Sequence, residues 1–290
     1  MREPLQVDPF RHLRGLVTKG PGRFITYASF LRDGKRRLWL ARESRKGLLR
    51  PPGEAGAPLW LRPAYNWWIG ALFAMGSLLF MLGAGLSIAP TTLGAVQVAL
   101  VFFAGSIPFT TAAFLQNLQA ANAAGPPIAA PGSSGGAGAL RLVGWRPRDL
   151  GWLSTVTQLL GTIAFNLSTF DAIDPKGGWY RQDLTVWLPD LAGSVLFLAS
   201  GYLAFMETSH GYWSWRPRDL GWRITFVNLL GCVVFMTAGL LAYVPRTAEP
   251  GWIATVAAIH LGLGGACFLI GALLTMRESR IGDASAARTA

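Results

Sequence analysis

Six long apolar runs separated by short polar segments dominate the chain, at 67–88, 94–115, 152–170, 186–206, 224–244 and 252–276. A helix needs roughly 20 apolar residues to cross a hydrocarbon core about 30 Å thick, and each run meets that length. Five of the six contain no Asp, Glu, Lys or Arg, and the fourth holds only Asp190, near one end. Buried helices of soluble proteins rarely extend so far without a charge. The pattern predicts an all-α integral membrane protein with six transmembrane helices.

A second pattern repeats inside the first. The octamer WRPRDLGW stands at 145–152 and again, without a mismatch, at 215–222. A weaker copy (Trp60, Arg62, Pro63, Trp67) precedes the first run. Nine residues after Trp67, Trp152 and Trp222 come Gly76, Gly161 and Gly231, and four residues later Phe80, Phe165 and Phe235. The even-numbered runs carry the same pairs as Gly105/Phe109, Gly193/Phe197 and Gly264/Phe268. The residue after each glycine is Ser77, Ser106, Thr162, Ser194, Cys232 or Gly265. Gly beside a small residue lets helices approach closely in lipid, where apolar area gives no drive for association. Phe one turn on shares that face and can fill the space beside a neighbouring glycine.

The unit is a helical hairpin used three times, at 65–120, 144–209 and 210–277. Because a hairpin crosses twice, the copies are parallel repeats, unlike the inverted repeats of many transporters. A Gly/Pro/Ala-rich stretch at 121–143 reads as a flexible linker, and 278–290 as a tail.

These residues resemble the YrhK-like family of short two-helix bacterial membrane domains. The likeness rests on Asn66, on Gly76-Ser77-Leu78-Leu79-Phe80, on Gly105-Ser106-Ile107-Pro108-Phe109 and on Gly193-Ser194-Val195-Leu196-Phe197. Thr162, Cys232 and Gly265 replace its serine elsewhere, and Pro108 interrupts the second run. The resemblance implies a membrane hairpin in three copies and no particular activity.

Hydrophobic residues make up 51% of the chain and charged ones 14%, well below the quarter usual in soluble domains. Of 26 Lys and Arg, 14 precede position 65. Placing both termini in the cytoplasm puts 23 basic residues inside and only Lys176, Arg181 and Arg246 outside, as membrane topology favours. The net charge of +11 is thereby explained without nucleic acid, and the location expected is the cell membrane. The first apolar run starts too late for a cleavable signal peptide. Cys232 and Cys267 lie in apolar runs and read as packing residues rather than a disulfide or metal site.

The basic segment 1–64 offers a short β-hairpin, 24–31 and 36–41 around Asp33-Gly34. It reads as a positive anchor on the membrane surface, or else as an arm for anionic lipid or a protein partner. Polar groups within the runs are the candidate functional residues. His260 suits an interhelical hydrogen bond or a proton relay. Asp190 suits a solvated helix start, and Glu207 and Glu278 a water-facing helix end. Gln158, Asn166 and Asn228 read as interhelical glue or as a substrate contact. Arg146, Arg148, Arg216 and Arg218 suit interface anchoring or capture of anionic headgroups.

No catalytic or metal-ligating constellation is visible, and no cofactor is expected. Two functions remain open: a structural, accessory or sensing membrane protein, with or without a protein partner or self-association, and a channel for a small polar solute. A dry, Phe-filled bundle axis would favour the first, a continuous polar lumen the second.

Overall fold

The computed structural model describes residues 14–32, 34–49, 58–89, 92–126, 140–243 and 250–288. Asp33 of the expected turn, most of the expected linker (127–139) and Arg246 lie outside the described residues.

The chain opens with a three-stranded antiparallel sheet, β1 (Arg14–Lys19), β2 (Tyr27–Arg32) and β3 (Lys35–Leu40), in that order. The β2–β3 hairpin runs in register from Arg32↔Lys35 to Tyr27↔Leu40. Strand β1, paired to β2 from Arg14↔Leu31 to Lys19↔Tyr27, goes beyond the two strands that sequence reading offers. The expected hairpin is therefore present with one strand more, and the protein is mostly helical with a small sheet at its N-terminal end. A short helix, α1 (Ala41–Arg45), follows β3 directly.

After a 3-10 turn at Leu59–Leu61, α2 (Pro63–Ile88) begins on a proline, whose missing N–H is harmless in a first helical turn. Then come α3 (Ala95–Ala121), α4 (Leu150–Asp171) and α5 (Trp179–Gln182). A π-helical turn, Asp183–Trp187, carries α5 into α6 (Leu188–Ser209). Two further helices, α7 (Leu220–Leu241) and α8 (Gly251–Arg288), complete the chain, and α8 runs on through most of the segment read as a tail. Asp149 and Asp219 accept the N–H groups of Trp152 and Trp222, capping α4 and α7.

Among the described residues five helical segments are long and apolar enough to cross a membrane, where sequence reading expects six. The exception is α4, a 22-residue helix whose hydroxyls and amides (Ser154, Thr155, Thr157, Gln158, Thr162, Asn166) dilute its apolar character.

The six long helices form a closed ring in the order α2, α3, α4, α6, α7, α8, with α8 packed against α2. Phenylalanines fill its centre: Phe80, Phe109, Phe165, Phe197, Phe235 and Phe268, one from each helix, with Cys232 among them. They stack in two tiers. Phe109, Phe197 and Phe268, from the second helix of each hairpin, form a triangle with ring centroids 5.7–6.2 Å apart. Phe235 lies 5.1 Å from Phe165 and 6.1 Å from Phe80 in the other tier.

Glycines make room for these rings. A Cβ on Gly161 would lie 3.0 Å from the Phe197 ring, and one on Gly193 would lie 2.9 Å from the Phe165 ring. The same exchange joins Gly76 to Phe109, Gly231 to Phe268 and Gly264 to Phe235, while Gly105 packs on Leu79 and Phe80. Each hairpin is thus closed by two rings lying in each other's glycine notches, where dispersion contacts are dense.

A candidate site: the polar chamber at the sheet end

Between the Phe109–Phe197–Phe268 tier and the sheet lies a cavity of about 110 Å³. Its walls follow from helix periodicity. Ten residues past each ring of the tier stand Gln119, Glu207 and Glu278, about 15 Å further along their helices at 1.5 Å per residue. On the first helices, Phe73, Gln158 and Asn228 all precede their Gly-small pair by three residues, and all three line the cavity.

Helix α1 closes the sheet end. Arg42, Arg45 and Lys46 share one face of this single turn, and all three are buried. Arg45 makes a forked pair with Glu207, at 2.5 and 2.8 Å. Arg42 does the same with Glu278, at 2.6 and 3.0 Å, and Lys46 Nζ donates to that carboxylate at 2.5 Å. Asn66 Nδ2 donates to the Lys46 carbonyl, and Gln119 Nε2 donates to Asn66 Oδ1. Each hairpin therefore holds one point of the plug.

Glycine again supplies the space. A Cβ on Gly151 would meet Arg45 Nη1 at 1.6 Å, and one on Gly221 would meet Arg42 Nη1 at 3.1 Å. Both are the glycine of WRPRDLGW. Burial opposes the charge on Arg42 and Arg45, but the facing carboxylates outweigh it and hold both above their ordinary range. For Lys46 burial prevails, helped by the Arg42 charge, and its ammonium is pulled down to about 8.

The rest of WRPRDLGW builds the joint between successive hairpins. Arg146 donates to the carbonyls of Ala120 and Ala123 at the end of α3, and Arg216 to the Thr208 carbonyl at the end of α6. These cations complete helix C-termini, where four carbonyls lack partners. The indoles of Trp152 and Trp222 donate back to Val143 and Ser214. Arg148 and Arg218 stay exposed.

The remaining candidates scatter. Gln158 and Asn228 line the chamber and find no hydrogen-bond partner among the described residues. Asn166 donates to Thr110 Oγ1 at 2.7 Å, from α4 to α3. His260 donates through Nδ1 to Val256 in its own helix rather than across helices. Asp190 is half-buried beside Gly239 of α7 instead of standing free in solvent. Glu207 and Glu278 face the plug and not water, contrary to the sequence expectation, and the basic run 42–46 enters the ring rather than lying on a surface. The pairing joins residues 162 and 236 positions apart, and only the ten-residue step from Phe to Glu hinted at it. Among the described residues no cluster of His, Cys, Asp and Glu could hold a metal.

The fold and site define a mostly helical bundle whose apolar helices are compatible with a membrane protein. No protein family, no characterised protein and no solved structure matches this chain.

Proposed function

We propose that this chain is a multi-pass protein of the cell membrane with six spans and both termini in the cytoplasm, acting as a non-catalytic accessory or sensing component. The carrying observation is the double tier of phenylalanines across the axis of the ring. It opposes the alternative of a solute channel, because the void beyond the rings is only about 10 Å³, too little for a continuous file of water.

In this reading α4 crosses as the sixth span, its polar face turned to the chamber and to α3. The 23 to 3 distribution of basic residues favours a cytoplasmic sheet end. Exposed Arg148 and Arg218 then remain for anionic headgroups. The likeness to YrhK-like hairpins belongs to the same proposal. A sheet held on the bundle by buried ion pairs suits a sensor, since a change in the chamber is felt directly by α1.

Two measurements test the proposal. Single cysteines at Thr91, Gly178 and Ala248 should be labelled by an impermeant thiol reagent on one face, and those at Ala130 and Tyr212 on the other. Proteoliposomes should show no solute flux above protein-free vesicles. A different labelling split removes the topology, and flux of water or glycerol removes the non-conducting role.

A further inference from the structure

We propose that the chamber binds a small monocarboxylate anion of roughly two to five carbons, a size suited to a cavity of this volume. The inference rests on the sensing role above and supplies its ligand class.

Hydrogen-bond accounting shows what the chamber leaves unused. Ser154 and Ser200 bond each other's carbonyls, and Thr225 bonds within its own helix. Asn66 and Gln119 are joined to each other and to backbone. Left over are the amides of Gln158 and Asn228, buried Gln116 Oε1, and ammonium hydrogens of Lys46 beyond the one given to Glu278. Gln158 and Asn228 are half-buried and open onto the cavity, and Gln116 Oε1 is buried without a partner, so these groups point to an occupant.

Charge selects its kind. Among the described residues Arg42, Arg45 and Lys46 make ion pairs only with Glu207 and Glu278, while Asp149, shared with Arg146, and half-buried Glu43 act at longer range, so the directly paired cluster holds one positive charge more than its own carboxylates balance. There an anion gains far more than it would at a surface. A cation would be repelled, a neutral molecule would leave the charge uncompensated, and a dianion would overcompensate it.

Shape selects the body. Phe73, Phe109, Phe197 and Phe268 make the opposite end apolar. A carboxylate lying between the two ends accepts the Gln158 and Asn228 amide hydrogens and faces the Lys46 ammonium at the sheet end, while a short alkyl chain meets the rings.

Calorimetric titration of the dialysed full-length protein in nanodiscs tests this with butyrate, butyramide and inorganic phosphate. Butyrate should bind saturably and raise Tm, and the other two should not bind. The Gln158→Leu/Asn228→Leu variant should bind butyrate at least about tenfold more weakly, as lost bonds to a charged group imply. If that variant fails to fold, Gln158→Glu, which places a second anion in the chamber, should weaken binding similarly. Absence of saturable butyrate binding overturns the proposal, as does undiminished binding in the variants. Equal binding of phosphate or butyramide overturns the ligand class. Butyrate flux across vesicles would sink the non-conducting role and leave the site standing, whereas no binding with no flux would sink this inference alone.

Discussion

A methyl group on Gly151 would fall 1.6 Å from Arg45 Nη1 and 2.6 Å from Glu207 Oε1, so this position joins the repeat to the plug. Gly151→Ala should expel the guanidinium and leave Glu207 buried without its partner. The expected loss is about 3 kcal/mol, the scale of a broken buried pair. Gly85, by contrast, has nothing within 4 Å of its missing Cβ. Gly85→Ala should stabilise α2 by up to about 1 kcal/mol through helix propensity alone. Thermal unfolding in detergent separates the two, and equal effects would mean that Arg45 does not occupy the Gly151 notch. The sequence displays this glycine only as part of a repeated octamer. Its purpose depends on an arginine more than 100 positions earlier, which no local pattern can reveal.

At the scale of elements, the docking of α1 and the sheet on the ring controls access to the chamber. Glu207→Gln should destabilise that docking by about 3–5 kcal/mol, because Arg45 stays buried and uncompensated. The double variant Arg45→Met/Glu207→Met should recover most of the loss, since a packed apolar pair removes both charges together. Trypsin cleavage after Lys46, which is buried while α1 is docked, reports the undocked state. Equal cleavage of the single and double variants would contradict the ion-pair account.

A second contact at this end depends on pH. His210, the left-handed residue that ends α6, approaches Thr26 Oγ1 at 3.1 Å and the Tyr27 ring at 5.6 Å. Burial first, then the Arg216 charge, pulls its imidazole down to about 4, against weaker opposite pulls from Glu207 and Asp219. The unfolded or undocked chain therefore binds the extra proton between about pH 6.5 and 4. Stability from this contact is present above that window and lost as pH falls through it. His210→Asn, which tolerates the same backbone, should flatten the acid limb of a Tm-versus-pH curve. An unchanged limb would assign the acid sensitivity elsewhere.

At the scale of the whole molecule, the tier of Phe109, Phe197 and Phe268 separates the chamber from the small void beyond. Phe109 is its hub, within 6.1 Å of Phe73, Phe80, Phe197 and Phe268. Phe109→Ala should join the two spaces and destabilise the bundle by about 3–5 kcal/mol. If the axis is the barrier, stopped-flow shrinkage of proteoliposomes should turn water-permeable in this variant alone. A variant as tight as the parent would place the seal elsewhere.

The apolar runs, the hairpin repeat and the Gly–Phe spacing are properties of neighbouring residues, so the sequence by itself determined the helices, their approximate ends and the face each would bury. Helix periodicity alone puts a glycine and a ring on one stripe. Closing six stripes around one axis, inserting a basic turn from the N-terminal region into the open end, and pairing it with carboxylates on α6 and α8 were decided only by the tertiary structure. Those contacts join distant segments, and burial rather than residue type turns Glu207 from a solvated helix end into the partner of Arg45.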